Sequence, residues 1–231
     1  MTCERGGLLL GIETAAGLVG VALADADGPL AGVWLRGDRR HAETLAPAID
    51  HVLSQAGASL SDLDAVAVDV GPGLFTGLRV GVATAQGLAQ GLGVGVVEVT
   101  SVEVLVREAY EAGWDGPVAA VVDARRGEVF AARCDGPESD VEPPSREAPE
   151  ALAQKLAAAP GTLCVGTGAH RYAGVLAGAG LRVAGIRSPS PRVLVSIAAA
   201  RLASGAAPVP PASVRPVYLR EADARINWVQ R

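Results

Sequence analysis

Gly71–Gly81 reads GPGLFTGLRVG. Ahead of it, AVAVDVG (residues 65–71) is an unbroken apolar run bounded by turn residues, the pattern of a parallel strand covered on both faces. Behind it, TGLRVGVATAQGLAQGLG (residues 76–93) predicts a helix running to about Gly91, with Thr76 placed to cap its start. GVGVVEVT (residues 93–100) then supplies another buried strand. Strand, glycine turn, helix and strand in this order predict an α/β fold with a parallel sheet.

Working outward, LLLGIET (8–14), LVGVALAD (18–25) and PLAGVWL (29–35) predict three antiparallel strands at the start of the chain. HAETLAPAIDHVLSQAG (41–57) spaces Leu45, Ile49, Val52 and Leu53 as one helix face, with Pro47 near its first turns or bending it. Beyond the glycine helix, SVEVLVREAYEAG (101–113) predicts a helix, and PVAAVVDARRGEVFAARCDG (117–136) a strand, a tight turn and a strand. The opening pattern therefore recurs, with Glu13 and then Asp123 where the first strand of each hairpin ends. An internal duplication follows, with one lobe over 1–104 and a second over 105–212. PESDVEPPSREAP (137–149) is expected to be a mobile surface loop. Helices near 150–159, 170–179 and 191–204, alternating with strands at 163–168 and 181–186, complete the second lobe. The proline-rich tail reads as a strap or docking segment, with 213–231 returning to the first lobe and no regular structure before Tyr218.

Composition limits the function classes. The chain has 231 residues, 49% of them hydrophobic but only 3% aromatic, which suits layers packed closely on small side chains. Its net charge of −5 argues against a large basic face that holds nucleic acid unaided, and leaves room only for a local patch. Cys3, Cys134 and Cys164 are odd in number and lack a C-x-x-C, against both a disulfide framework and a zinc site. No apolar run has the length of a membrane span and MTCERGG is not a signal peptide, so a cytoplasmic protein is expected.

Three features carry chemistry. Gly77, Gly81, Ala85 and Ala89 are spaced by four and form a smooth stripe on a helix where each interior glycine costs roughly 1 kcal/mol relative to alanine. The stripe packs either on this chain's own first helix or sheet, or on a second subunit. Gly71 and Gly73 form either a tight structural turn or a phosphate cradle, although neither the P-loop lysine nor G-x-G-x-x-G is present. Glu13, Asp69 and Asp123 stand at strand ends, where they either bond neighbouring backbone N–H groups or converge on a crevice between lobes. His41, His51 and His170 have no metal-pair spacing, and no G-x-S-x-G elbow supports a hydrolytic triad.

GPGLFTGLRVG, LLLGIETAAGLVGVAL, the H-x-x-x-L-x-P-x-I helix at 41–49, DLDAVAVDVGPG, VVDARRGEVF at 121–130 and P-x-YLR at 216–220 occur in the order found in the TsaB (YeaZ) family, which the chain resembles over most of its length. The family's usual aspartate after the first strand is Glu13 here, and Leu74 replaces a common serine, giving the GPGL of TsaD itself. The resemblance implies the ASKHA (actin-like ATPase) fold, two RNase H-like lobes with mixed sheets flanked by helices. It implies a non-catalytic scaffold that activates TsaD for threonylcarbamoyl transfer to the adenosine beside the anticodon of ANN-decoding tRNAs. TsaD carries an HHMEGH-type stretch after the glycine helix; the corresponding Thr100–Leu105 keeps only Glu103, with Ser101 and Leu105 in place of metal histidines, so neither a metal nor a catalytic residue is expected.

The partners so implied are TsaD, the small ATPase TsaE, a homodimer in isolation, and tRNA only through the complex. His41, Leu45, Ile49, Val52, Gly77, Leu78, Gly81, Val82, Ala85 and Ala89 would form the TsaD seam, so bulky residues at Gly81 and Ala85 would abolish pairing and leave the lobes folded. Glu13, Thr14, Gly71, Gly73 and Asp123 would line a nucleotide crevice, with no cofactor tightly bound and ATP or ADP handled only by the assembled complex. The alternatives are a nucleotide-binding ASKHA ATPase and a metalloprotease-like enzyme, both of which predict turnover by the chain alone.

Overall fold

The computed structural model describes residues 7–36, 41–159 and 161–219, so Cys3, Arg220 and the segment after it lie outside the described residues. The first sheet takes β1 (Leu8–Glu13), β2 (Leu18–Asp25), β3 (Gly28–Arg36), β4 (Leu63–Asp69) and β5 (Gly95–Val99) in the order β3-β2-β1-β4-β5. The hairpin strands β1, β2 and β3 pair antiparallel, whereas β4 and β5 join in parallel. The second sheet takes β6 (Val118–Arg125), β7 (Glu128–Cys134), β8 (Ser145–Glu147), β9 (Leu163–Val165) and β10 (Arg182–Val183) in the order β10-β9-β6-β7-β8. Read from β8, that is the same topology, so the duplication expected from the recurring pattern is present in the pairing of the strands.

Helices α1 (His41–Gln55) and α2 (Phe75–Leu92) lie side by side on one face of the first sheet, α1 over β2 and β3 and α2 over β4. Leu45, Ile49, Val52, Val82, Ala85 and Ala89 enter one core with Leu10, Ile12, Val21 and Val66. Helix α3 (Ser101–Glu111) packs on the second sheet, placing Val102, Leu105, Val106 and Ala109 among Val118, Ala120 and Phe130. Helices α4 (Pro149–Ala157), α5 (Thr167–Arg171) and α6 (Ala173–Gly178) cover its other side.

Four local expectations change. Helix α7 (Pro191–Ala203), assigned by alternation to the second lobe, returns to the first sheet and buries Val193, Leu194, Val195 and Ala198 against Leu9, Ala22 and Ala67. Alternation counts elements and cannot tell which sheet a helix covers. Residues 137–149 are not wholly a loop, because Ser145–Glu147 pairs antiparallel with Val129–Ala131 and satisfies an edge that composition does not reveal. Thr76 does not cap α2: Leu74 is the N-cap residue, and Thr76 sits exposed in the first turn. The helix expected at 170–179 breaks at Tyr172 into α5 and α6.

The tail is a strap. Val209 bridges to Val96, Gln86 Nε2 donates to the carbonyls of Pro211 and Val214, Val214 is fully buried, and Val217 N–H donates to Val70 O. Val217 packs against the first core and Leu219 against the second, so the strap touches both lobes. No helix of the described residues is long and apolar enough to cross a membrane.

Candidate functional site

Strands β1 and β4 run parallel with Ile12 opposite Val68, which brings Glu13 and Asp69 together at their ends. Both are buried. Glu13 Oε1 accepts from Ala15 N–H at 2.7 Å, and Asp69 Oδ1 accepts from Gly71 N–H at 2.6 Å, so each carboxyl closes the turn that follows its strand. Ser101 Oγ lies 2.7 Å from both Asp69 oxygens and donates to that carboxylate.

Burial raises the pKa of both acids. Glu13 is pushed well above the carboxylate range because it also faces the Asp69 charge, whereas the donors around Asp69, Glu13 among them, act to lower it. Glu13 is therefore the protonated member. Its Oε2 meets no N–H or O–H donor among the described residues, and its carboxyl shares a hydrogen bond with Asp69.

This arrangement sets a pH dependence. Unfolded Glu13 ionises near its ordinary value, about 4.3, while the folded chain keeps the proton to higher pH. The folded state then binds more protons, so this contribution is fully present at acid pH and is lost as pH rises, at up to about 1.4 kcal/mol per pH unit. Glu13→Gln keeps an acceptor for Ala15 N–H and a permanent donor to Asp69. Denaturant unfolding at pH 5 and pH 8 is expected to show the variant gaining on the wild type with rising pH; a constant difference would mean that Glu13 is ionised in the fold.

The glycine turn packs closely on the segment that follows β1. The Gly71–Pro72 peptide is cis, Leu74 N–H donates to Ala15 O at 2.7 Å, and a Cβ on Gly73 would stand 2.5 Å from that same carbonyl. The turn is thus seated on the Ala15 backbone. The crevice between Ala15, Ala16, Pro72, Ser101, Leu105 and Thr167 leaves no room for a water molecule. Thr14, expected to line it, is buried with its Oγ1 donating to Gly77 O at 2.9 Å. Asp123 belongs to the other lobe: its carboxylate receives Arg125 N–H and faces the Arg125 and Arg171 guanidiniums. Glu13 and Asp69 thus pair with each other, whereas Asp123 has separate partners.

Among the described residues, no group of three His, Cys, Asp or Glu could hold a metal ion. Ser101 is spent on Asp69, and Leu105 is fully buried in the second core. Glu103 closes a capping box with Thr100 and also pairs with Arg201.

The expected seam is corrected at nine of its ten residues. Leu45, Ile49, Val52, Gly77, Leu78, Gly81, Val82, Ala85 and Ala89 are all buried within this one chain. A Cβ on Gly81 would collide with Thr14 Oγ1, so at Gly81 the stripe spaced by four packs on this chain's own Ile12 and Thr14. His41 opens α1, and its side chain lies outside the described residues.

A second stripe faces out. Ala83, Gly87 and Gly91 are exposed, and a Cβ on Gly87 or Gly91 would meet nothing within 4 Å. Ala46, Pro47 and Asp50 are exposed on the neighbouring α1. Period-four spacing was the available signal, but it fits Ala83, Gly87 and Gly91 as well as the inner set. At the start of the same helix, exposed Phe75 stacks on Arg79, 3.7 Å from guanidinium carbon to ring centroid, and Arg79 Nε donates to Tyr218 Oη at 3.1 Å.

Residues 36–162 match the family model for TsaD, tRNA N6-adenosine threonylcarbamoyltransferase. The chain is 31% identical over 219 residues to the tRNA threonylcarbamoyladenosine biosynthesis protein TsaB of Escherichia coli K12, covering 92% of this chain and 94% of that protein. Among solved structures, YeaZ from Pseudomonas aeruginosa superposes with a TM-score of 0.80 at 29% identity, covering 92% of this chain and all of that one. A Pseudomonas aeruginosa protein described as similar to peptidase YEAZ gives a TM-score of 0.81 at 30% identity over 93% of this chain. The architecture is accordingly the actin-like ATPase fold with two mixed, helix-flanked sheets.

Proposed function

This chain belongs to the TsaB family of tRNA threonylcarbamoyladenosine biosynthesis proteins, and from that premise we propose that it is the non-catalytic subunit that binds and activates a TsaD-type threonylcarbamoyltransferase. The transferase would act on the adenosine beside the tRNA anticodon; this chain would supply a docking face. The observation that carries the reading is the outer stripe of α2. Gly87 and Gly91 each cost roughly 1 kcal/mol against alanine in a helix, yet none of the described residues occupies the space they leave. A partner helix approaching closely over Ala83, Gly87 and Gly91 gives those glycines a use. The buried environments of Ser101 and Leu105, where a transferase would place metal ligands, support the non-catalytic role. The same reading implies a cytoplasmic protein that meets a TsaE-type ATPase and tRNA within the assembly.

The test is light-scattering chromatography of the chain mixed with TsaD from the same organism. Wild type is expected to form a heterodimer. Gly87→Leu combined with Ala83→Leu should keep its melting temperature, because both changes fall on solvent and one of them removes a helix glycine, and should lose pairing by at least 100-fold in Kd. Undiminished pairing would move the docking face elsewhere, and absence of pairing by the wild type would overturn the scaffold reading.

A further inference from the structure

The hairpin between β6 and β7 is closed by Arg125, Arg126 and Gly127 at φ +63, +55 and +79. Hairpin turns with positive φ are ordinarily built from Asn, Asp or Gly, and left-handed backbone costs an L side chain roughly 1–2 kcal/mol per residue. Two consecutive arginines are thus held where local preference disfavours them, and both are exposed. Backbone strain of this kind points from geometry to function.

Two other segments bring arginines to the same place. Arg171, from α5, reaches Asp123 Oδ2 at 3.5 Å, the oxygen that Arg125 approaches at 3.4 Å. Asp123 N–H donates to Thr167 Oγ1, and Gly166 N–H to Ile186 O, so the next residue, Arg187, stands at the same edge and lines the crevice mouth with Thr167 and Val122. Nearby Glu128 is matched by Arg146 at 3.7 Å. Arg125, Arg171 and Arg187 against Asp123 leave a local surplus of two positive charges in a chain of net charge −5. The Asp123 contacts are long and solvent-exposed on the arginine side, pairs of a kind worth at most about 1 kcal/mol. They aim the guanidiniums without consuming them.

We propose that this arginine cluster is an RNA-contact site that takes phosphodiester oxygens of the tRNA backbone, an inference that rests on the role in tRNA modification argued above. Guanidinium forks suit phosphate oxygens, and several forks from separate segments along one exposed edge suit successive phosphates of a strand. A free nucleotide fits less well, because the crevice behind the cluster is closed and backed by the Glu13–Asp69 pair. The chain would then touch tRNA directly, in contrast to the expectation of contact only through its partner.

The experiment follows fluorescence anisotropy of a labelled tRNA transcript from 50 to 200 mM salt, with the chain alone and with its TsaD partner. Arg125→Gln, Arg171→Gln and Arg187→Gln together should weaken binding at least tenfold at 50 mM salt and lower the log–log salt slope by about 2, since each phosphate contact contributes about 0.7 to 0.9. Asp123→Asn keeps an acceptor for Arg125 N–H and should tighten binding. The site is overturned if the triple variant, with unchanged melting temperature, keeps wild-type affinity and slope. It is equally overturned if Asp123→Asn weakens binding as much as the triple variant does, which would make the cluster a support for hairpin shape. Lost TsaD pairing with unchanged tRNA affinity of the chain alone would also overturn it and assign the arginines to an acidic protein surface. If wild type fails to pair with TsaD, the scaffold reading falls and the measurements on the chain alone still decide this site.

Discussion

Gly81→Val is expected to unfold the first lobe rather than release a partner. The first carbon of any side chain at this position would overlap Thr14 Oγ1, which is buried and committed to Gly77 O. Thr14 cannot rotate away without leaving its own buried hydroxyl unpaired, and a valine adds two further methyl groups next to Ile12 Cγ2, already 3.6 Å from the Cβ position. Overpacking together with a broken buried hydrogen bond places the cost at about 3 kcal/mol or more. For a chain of this size that is a fall in melting temperature on the order of 10 °C. Thermal unfolding followed by circular dichroism decides it. A Gly81→Val protein that melts with the wild type and fails only to bind TsaD would restore the seam expected from the spacing of the stripe.

Asp69→Ala is the second large loss. Asp69 is the common acceptor for Ser101 Oγ–H, Gly71 N–H and the protonated Glu13. Removing it leaves three buried donors unmatched and opens a cavity under the glycine turn, a combination that costs about 3–5 kcal/mol. Asp69→Asn retains an oxygen for Gly71 N–H and should lose less. Chemical denaturation of both variants at pH 7 gives the order: wild type most stable, Asn intermediate, Ala least. An alanine variant within about 1 kcal/mol of wild type would mean that water or a moved turn replaces the carboxylate.

Much of the fold could be read from residue order. The run AVAVDVG is a strand covered on both faces, as its unbroken apolar character requires, and VVDARRGEVF forms a hairpin because its turn lies between two β-rich runs. The recurrence of a hairpin before alternating strands and helices appears as two sheets of identical topology. At the site, sequence placed Glu13 and Asp69 at strand ends, and the backbone alternative holds for them: each accepts a neighbouring N–H, and the two carboxyls also meet each other. Sequence did not distinguish Asp123 from them, because all three occupy the same position relative to a strand.

What the sequence determined by itself were the local quantities: element order, the period of the apolar residues, the glycine-rich turn, the absence of metal-pair spacing and the family likeness. Each depends on residues close together along the chain, where spacing translates directly into a face or a turn. Tertiary structure alone decided which face of α2 turns inward. Two stripes on that helix have the same period and nearly the same small residues, and only contact with Thr14, 67 residues upstream of Gly81, separates them. It likewise decided that α7 crosses back to the first sheet, that Glu13 holds a proton against Asp69, and that Arg125 and Arg171, from separate segments, face one carboxylate. Burial, collision and charge pairing are properties of distance in space, and no spacing along the chain encodes them.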